Sequence, residues 1–274
     1  MKDVCETLEV SCSGTYAQLK EKSLRSNGYH KEDDTWLLPK IEDILKRRAS
    51  YGYRRIHRLL NRCLASEGIK INHKRVYRIM KQNGLTLPKH SGKRPERVHN
   101  GKIITLHSNT RWCSDGFEIP CWNGEKVRVA FSLDCCDREL MSHVATTGGI
   151  TAGMICDLIV QTVEYRFGRV DSVPKPIEWL TDNGSCYTAH ETRRFASELG
   201  LEVCKTPISS PESNGMAEAF VNTFKRDYVY LNDRPDAKTV ISILPEWFED
   251  YNEMHPHKGL KMLSPREFIR KNKH

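Results

Sequence analysis

The sequence predicts a mixed α/β domain, a sheet with helices on its faces, preceded by a small all-helical module. Three observations carry this. Apolar residues recur at helical spacing from Leu37 to Leu85. After residue 106 strand-like alternation sets in, first as three hairpin-linked runs. Beyond those, helical and strand-like runs take turns towards the C-terminus. With 274 residues there is room for one large domain or two moderate ones.

The N-terminal "KDVCETLEVSCSGTYAQLKEK" suits two short helices around a turn at Ser11 to Gly14, either part of a helix-turn-helix or a helical hairpin. Residues 1–30 are assigned to it. The polar "RSNGYHKEDD" reads as a linker. In residues 36–86 one stripe comes from Ile41, Ile44 and Leu45, a second from Ile56, Leu59 and Leu60, and a third from Val76, Ile79 and Met80, with Gly52, Gly68 and Gly84 as punctuation. This predicts three short helices with Arg and Lys on their outer faces.

Charge sharpens that reading. The chain carries a formal +8, and between Ile41 and Ile104 there are 17 Lys and Arg against four acids. A block that basic is a nucleic-acid footprint. The helices form either a DNA-binding module that reads bases or a basic connector that touches phosphates only; both predict polyanion binding. Residues 87–106, containing "LPKHSGKRPERVHNGK", read as an extended basic linker.

The core then occupies 107–271. "TRWCSDGFEIP" and "KVRVAFSLD" read as strands turned at Gly124, the second with Val127, Val129, Phe131 and Leu133 on one face, and "LMSHVATT" reads as a third. "TAGMICDLIVQTVEYRFG" is a helix closed by Gly168, "PIEWLTD" a short strand, "AHETRRFASELG" a helix closed by Gly200 and "LEVCKT" a strand. Helices follow in "SPESNGMAEAFVNTFKRDY" and "AKTVISILPEWFEDYNEM".

Ten cysteines without a C-x-x-C pair argue against a disulfide framework or a zinc site. There is no secretory segment at the start, and no apolar run nears the roughly 18 residues of a membrane span. The expectation is a cytoplasmic protein without membrane association, its cysteines reduced and mostly buried.

Three acids stand where a chain returning to one sheet edge can gather them. Asp115 lies in the first strand, Asp182 just past the "EWLT" strand, and Glu218 in the first turn of the helix that follows the Ser-Pro-Glu-Ser-Asn-Gly loop; 66 and 35 residues separate them. Carboxylates without His or Cys partners suit hard divalent cations such as Mg²⁺ or Mn²⁺. Beside a basic arm, two such ions about 3.5–4 Å apart would activate an attacking oxygen and stabilise the leaving oxygen of a phosphodiester. At 100° per residue, Asn222 and Lys225 share the face of Glu218, with Lys225 set to hold a DNA phosphate, while Phe220, Phe224 and Tyr228 face the core. Taken alone, Glu218 is an ordinary helix-dipole acid; with the two aspartates it reads as the third ligand. Asp134 and Asp137 in "SLDCCDREL" suit a strand end and a turn, Asp134 being the best substitute ligand.

"WCSDGFEI", "LTDNGSCY" and "SPESNGMAEAFVNTFKRDY" together resemble the retroviral-integrase-like (DDE) transposases of bacterial insertion elements, in particular their second-frame, OrfB-type subunit. "YGYRRIHRLLN", with Arg54 and Arg55, and "INHKRVYRIMKQNGL", with Lys74, Arg75 and Arg78, resemble the helix-turn-helix module that precedes the core there, and "YNEMHPHKGLKMLSPREFI" their C-terminal ending. The likeness runs from about Asp43 to the end. It implies an RNase H-like five-stranded core with Asp115, Asp182 and Glu218 as the catalytic, metal-binding triad. It also implies two Mg²⁺ (or Mn²⁺) ions, cleavage of element ends and transfer of the freed 3′-hydroxyl into target DNA. Asn183 and Ser185 become shapers of the site, and Arg54, Arg55, Lys74, Arg75, Arg78, Asn183, Asn222 and Lys225 DNA contacts. The partners implied are element-end and target DNA, an upstream-frame OrfA-type protein or a fusion with it, and further copies of the chain on DNA, in the cytoplasm at the nucleoid. Two alternatives stay open: an RNase H-like nuclease that hydrolyses without strand transfer, and a non-catalytic DNA-binding regulator of transposition.

Overall fold

The computed structural model describes residues 34–88, 105–169, 171–182, 184–205 and 215–272. The helices predicted in residues 1–30, most of the basic linker, and the loop that contains Glu212 and Asn214 lie outside them. Two compact units emerge: one holds residues 34–47 and 51–88, the other Arg48–Ser50 and the chain from the linker onward.

The first unit has α1 (Leu37–Arg47), α2 (Tyr53–Cys63) and α3 (His73–Gln82). Ile56, Leu59, Leu60, Val76, Ile79 and Met80 are buried as predicted. The α1 stripe is shifted: Leu37 and Ile41 are fully buried, whereas Ile44 and Leu45 are only half-buried. The periodicity found the helix, but contact with α2 and α3 selected the turn that enters the core. The Asn72 side chain caps α3, accepting from the Lys74 amide at 2.9 Å. Between α2 and α3, Asn61 grips Ile71 from both sides, donating to its carbonyl at 3.0 Å and accepting from its amide at 2.7 Å. This replaces the ladder that an irregular connection lacks.

The second unit is built on β1 (Arg111–Pro120), β2 (Lys126–Asp134), β3 (Leu140–Thr146), β4 (Ile177–Thr181) and β5 (Leu201–Lys205), in the order β3-β2-β1-β4-β5. β1–β2 and β2–β3 pair antiparallel; β1–β4 and β4–β5 pair parallel. The predicted mixed sheet is therefore present. Its helices are α4 (Ala152–Phe167), α5 (Ser185–Thr188), α6 (His190–Glu198), α7 (Gly215–Asp227), α8 (Ala237–Met254) and α9 (Pro265–Asn272).

Each face of the sheet has its own core. Cys113, Phe117, Ile119, Val127, Val129, Phe131, Leu133 and Leu180 pack against α7 and α8 through Phe220, Phe224, Trp247, Phe248 and Tyr251. On the opposite face Trp112, Ala130, Ile177, Trp179 and Leu201 meet α4, α6 and Tyr187. The larger residues of β2 mark the α7–α8 face, yet Ala130 and Ser132 are buried too, because both faces are covered.

Local signals set the boundaries. Thr151 caps α4, and Gly168 closes it at φ 68°, donating to the Glu164 carbonyl at 2.7 Å. Gly124 turns β1 into β2 at φ 89°. α9 is an addition to the prediction, although "SPRE" holds its signature: Ser264 Oγ accepts from the Glu267 amide, and Glu267 accepts from the Ser264 amide at 3.0 Å. Cysteine burial needs correction. Of the described thiols, all free, only Cys113 and Cys121 are buried, Cys63 is exposed and the rest are half-buried. Among the described residues no helix is long and apolar enough to cross a membrane.

Candidate active site

The parallel ladder between β1 and β4 runs through Cys113↔Leu180 and ends at Ser114↔Thr181. Asp115 is the next residue of β1, and Asp182 follows directly on the end of β4. Paired residues of a parallel ladder point the same way and alternate along the strand. Cys113 and Leu180 belong to the α7–α8 face, so Asp115 and Asp182, two positions on, continue that face where the β1–β4 ladder ends, between two interior strands of the sheet. Both are half-buried. Asp115 Oδ1 accepts from the Gly116 amide at 2.7 Å, and Asp182 Oδ1 from the Gly184 amide at 2.9 Å.

α7 covers this face. Asp115 is paired with Phe131, whose ring centroid lies 4.5 Å from that of Phe220, and Phe224 stands 5.7 Å from Phe117. Phe220, Phe224 and Tyr228 are buried as the helix phase required, which leaves Glu218 and Asn222 exposed. Lys225 Nζ sits 5.7 Å above the Phe117 ring, beside β1 rather than far out in solvent. The structure thus brings Asp115 and Asp182 together just past the last β1–β4 pair, with Glu218 in the first turn of the helix that covers this face. Among the described residues no three His, Cys, Asp or Glu are arranged to hold a metal ion. As a donor set the three carboxylates offer oxygen only, which fits a hard divalent cation. Asn183 lies outside the described residues; Ser185 begins α5.

Competing acids are committed elsewhere. Asp134 is fully buried and accepts from the amides of Asn109, Cys136 and Asp137 while meeting Arg166 at 3.3 Å, so it is no longer a substitute ligand. Glu178 pairs with Arg111 at 2.5 Å, and buried Asp227 accepts from Ser50 and Arg226, both at 2.6 Å. His257 packs 5.2 Å from Tyr251 and 4.7 Å from His255. A cavity of about 520 Å³ opens between α9 and the Asp137–Glu139–Arg166 cluster, away from Asp115 and Asp182.

In the helical unit, Lys74 is exposed at the start of α3, and exposed Arg54 donates to its neighbour Tyr53 at 3.1 Å. Arg55 lies 5.0 Å over the Tyr51 ring. Arg75 and Arg78 are both engaged by Asp34, Arg75 at 2.6 Å. Burial raises the Asp34 carboxyl, and the two guanidiniums outweigh it, holding the group below the usual carboxylate range. Asp34 falls in the stretch that read as a linker, and nothing local announces a contact more than 40 residues away.

The family described as "Integrase core domain" matches residues 106–211, a second so described matches 199–265, and an "HTH-like domain" matches 31–94. Transposase InsD for insertion element IS2A/D/F/H/I/K of Escherichia coli is 51% identical over 240 residues, 87% of this chain and 79% of the relative. InsD for insertion element IS2-9 of Escherichia coli (strain K12) is also 51% identical, over 87% of this chain and 78% of its own. The solved intasome of simian T-cell lymphotropic virus with the PP2A regulatory subunit B56 gamma is similar in fold alone. Its TM-score is 0.52 at 15% identity, over 78% of this chain and 71% of that one.

Proposed function

The chain belongs to the insertion-element DNA transposases with an integrase catalytic core, a metal-dependent class of polynucleotidyl transferases, and from that premise we propose that Asp115, Asp182 and Glu218 form its metal-binding catalytic set. The finer reading is two Mg²⁺ or Mn²⁺ ions, cleavage of element ends, and joining of the freed 3′-hydroxyl to target DNA. When bound, such ions polarise the phosphodiester and neutralise the charge that builds in the transition state. In the joining step the 3′-hydroxyl gives up its proton as its oxygen forms a new P–O bond, the target's P–O3′ bond breaks, and the leaving oxygen takes up a proton. Lys225, with Asn222 and Asn183, holds DNA beside the carboxylates. Arg54, Arg55, Lys74, Arg75 and Arg78 supply contacts from the helical unit, so binding weakens as salt rises. An upstream-frame OrfA-type protein or fusion and further copies of the chain on DNA complete the assembly, at the nucleoid in the cytoplasm.

One observation supports this reading above the others: the β1–β4 ladder ends one residue before an aspartate on both strands. The test is joining of labelled element-end oligonucleotides to target DNA with Mg²⁺. Asp115→Asn, Asp182→Asn and Glu218→Gln should each abolish joined product while DNA binding persists. Native joining by all three variants overturns the assignment.

A further inference from the structure

We infer that Tyr187, through its hydrogen bond to Ser114, is a positioning residue that sets the spacing of Asp115 and Asp182. The inference rests on the metal-binding reading of those aspartates. Among the described residues the parallel ladder ties β1 to β4 as far as Ser114↔Thr181, the pair immediately before the two aspartates. At that point Tyr187 OH and Ser114 Oγ lie 2.9 Å apart in a buried hydrogen bond that joins segments 73 residues apart in sequence.

Both ends of the bond are stiff. Ser114 is fully buried within β1, immediately before Asp115. Tyr187 is 3% exposed, packed edge-on against Trp179 of β4 at 5.9 Å. From Tyr187 the chain leads directly back to the second aspartate. The Tyr187 amide donates to the Gly184 carbonyl at 3.0 Å, and the Gly184 amide donates to Asp182 Oδ1 at 2.9 Å. A short path therefore runs from the residue before Asp115, across the hydroxyl pair, to the Asp182 carboxylate. The hydroxyls sit on the α4–α6 face while the aspartates emerge on the α7–α8 face. Tyr187 thus acts from beneath the sheet and leaves the carboxylate face open to ion and DNA. A Phe would fill the same space but leave the Ser114 hydroxyl without this partner. Nothing in "LTDNGSCY" sets Tyr187 apart from an ordinary core aromatic.

The test measures joining as a function of Mg²⁺ concentration for Tyr187→Phe, Ser114→Ala and the double variant, with melting temperature recorded beside it. Outer partners that orient metal ligands typically shift metal affinity by about 10–100-fold. Acting one step further out, each single variant should raise the half-saturating Mg²⁺ about three- to tenfold and recover most of the native rate at saturating Mg²⁺. The double variant should be no worse than either single one, since all three remove the same bond. Ser114→Ala keeps the test decisive if Tyr187→Phe folds poorly. Native Mg²⁺ dependence in both single variants, while Asp115→Asn abolishes joining, overturns the positioning role alone. Native joining by Asp115→Asn removes the metal-binding reading and this inference with it.

Discussion

Ser114 and Thr181 close the β1–β4 ladder, and each is followed at once by an aspartate. Asp182 is further constrained by Gly184, where an added Cβ would lie 2.9 Å from Asp182 Oδ1. The Gly184 backbone, at φ −59° and ψ 145°, is open to any residue. Gly184→Ala should therefore spare the fold and push the carboxylate aside. We expect a melting temperature within about 2–4 °C of native and joining reduced at least about tenfold, because ångström displacements at a reacting centre cost that much or more. Native joining by this variant would show that the Asp182 carboxylate has slack.

Asp34 holds two of the cations that the helical unit would offer to DNA. A carboxylate clamped by two guanidiniums occupies them as a phosphate would. Asp34→Asn should tighten DNA binding and steepen its salt dependence by about one phosphate equivalent, measured by fluorescence anisotropy across a salt series. Weaker binding by the variant would instead mean that Asp34 aligns Arg75 and Arg78 for contact.

The Arg166 guanidinium is the counter-charge for three carboxylates buried at the far end of β2, meeting Glu139 at 2.8 Å, Asp137 at 3.0 Å and Asp134 at 3.3 Å. Burial, then repulsion from Asp137, pushes the Asp134 carboxyl up to about 6 even with Arg166 present. Because its folded value lies above the unfolded one, this group favours the native state at low pH, and that contribution is lost as pH rises through about 6. Arg166→Met leaves the acids without that partner and should cost about 3–5 kcal/mol at pH 7 in denaturant melts. The deficit should shrink at pH 5, where Asp134 is protonated; a deficit independent of pH would mean that lost packing, not charge, is responsible.

Much of this architecture was legible because its causes are local. Thr151 and Gly168 bracket α4, Gly124 turns the first hairpin, and the spacing of Phe220, Phe224 and Tyr228 fixed the buried side of α7. Asp115 could be picked out as an acid within the first strand and Asp182 as one just past a strand end, but not their common face, which depends on the parallel register. What stayed hidden joins distant segments. The Ser114–Tyr187 bond, the Asp34 clamp on α3 and the convergence of Asp134, Asp137 and Glu139 on Arg166 exist only once the chain has folded. The misplaced α1 stripe has the same origin: a 3.6-residue period names the apolar side, and neighbouring helices choose which turn of it to bury.

His143 gives a last prediction of opposite sign to Asp134. Its ring lies 4.5 Å from that of Phe248 on the α7–α8 face, and burial lowers its pKa to about 4, from an ordinary value of 6.5. The folded chain thus binds this proton less readily than the unfolded chain. Its stabilising contribution is complete above pH 6.5 and is lost as pH falls through that value towards 4. A separation of about 2.5 pH units corresponds to a swing on the order of 3 kcal/mol. His143→Phe keeps an aromatic ring against Phe248 and removes the titration, so the variant should lose less stability than the native chain between pH 6.5 and 4. Over the lower part of that range Asp134 works the other way and masks part of the native slope. The comparison should therefore be made in the Asp134→Asn background as well, where the His143 contribution stands uncovered. Parallel pH profiles for the His143 pair in both backgrounds would show that the ring takes up its proton without resistance from the fold.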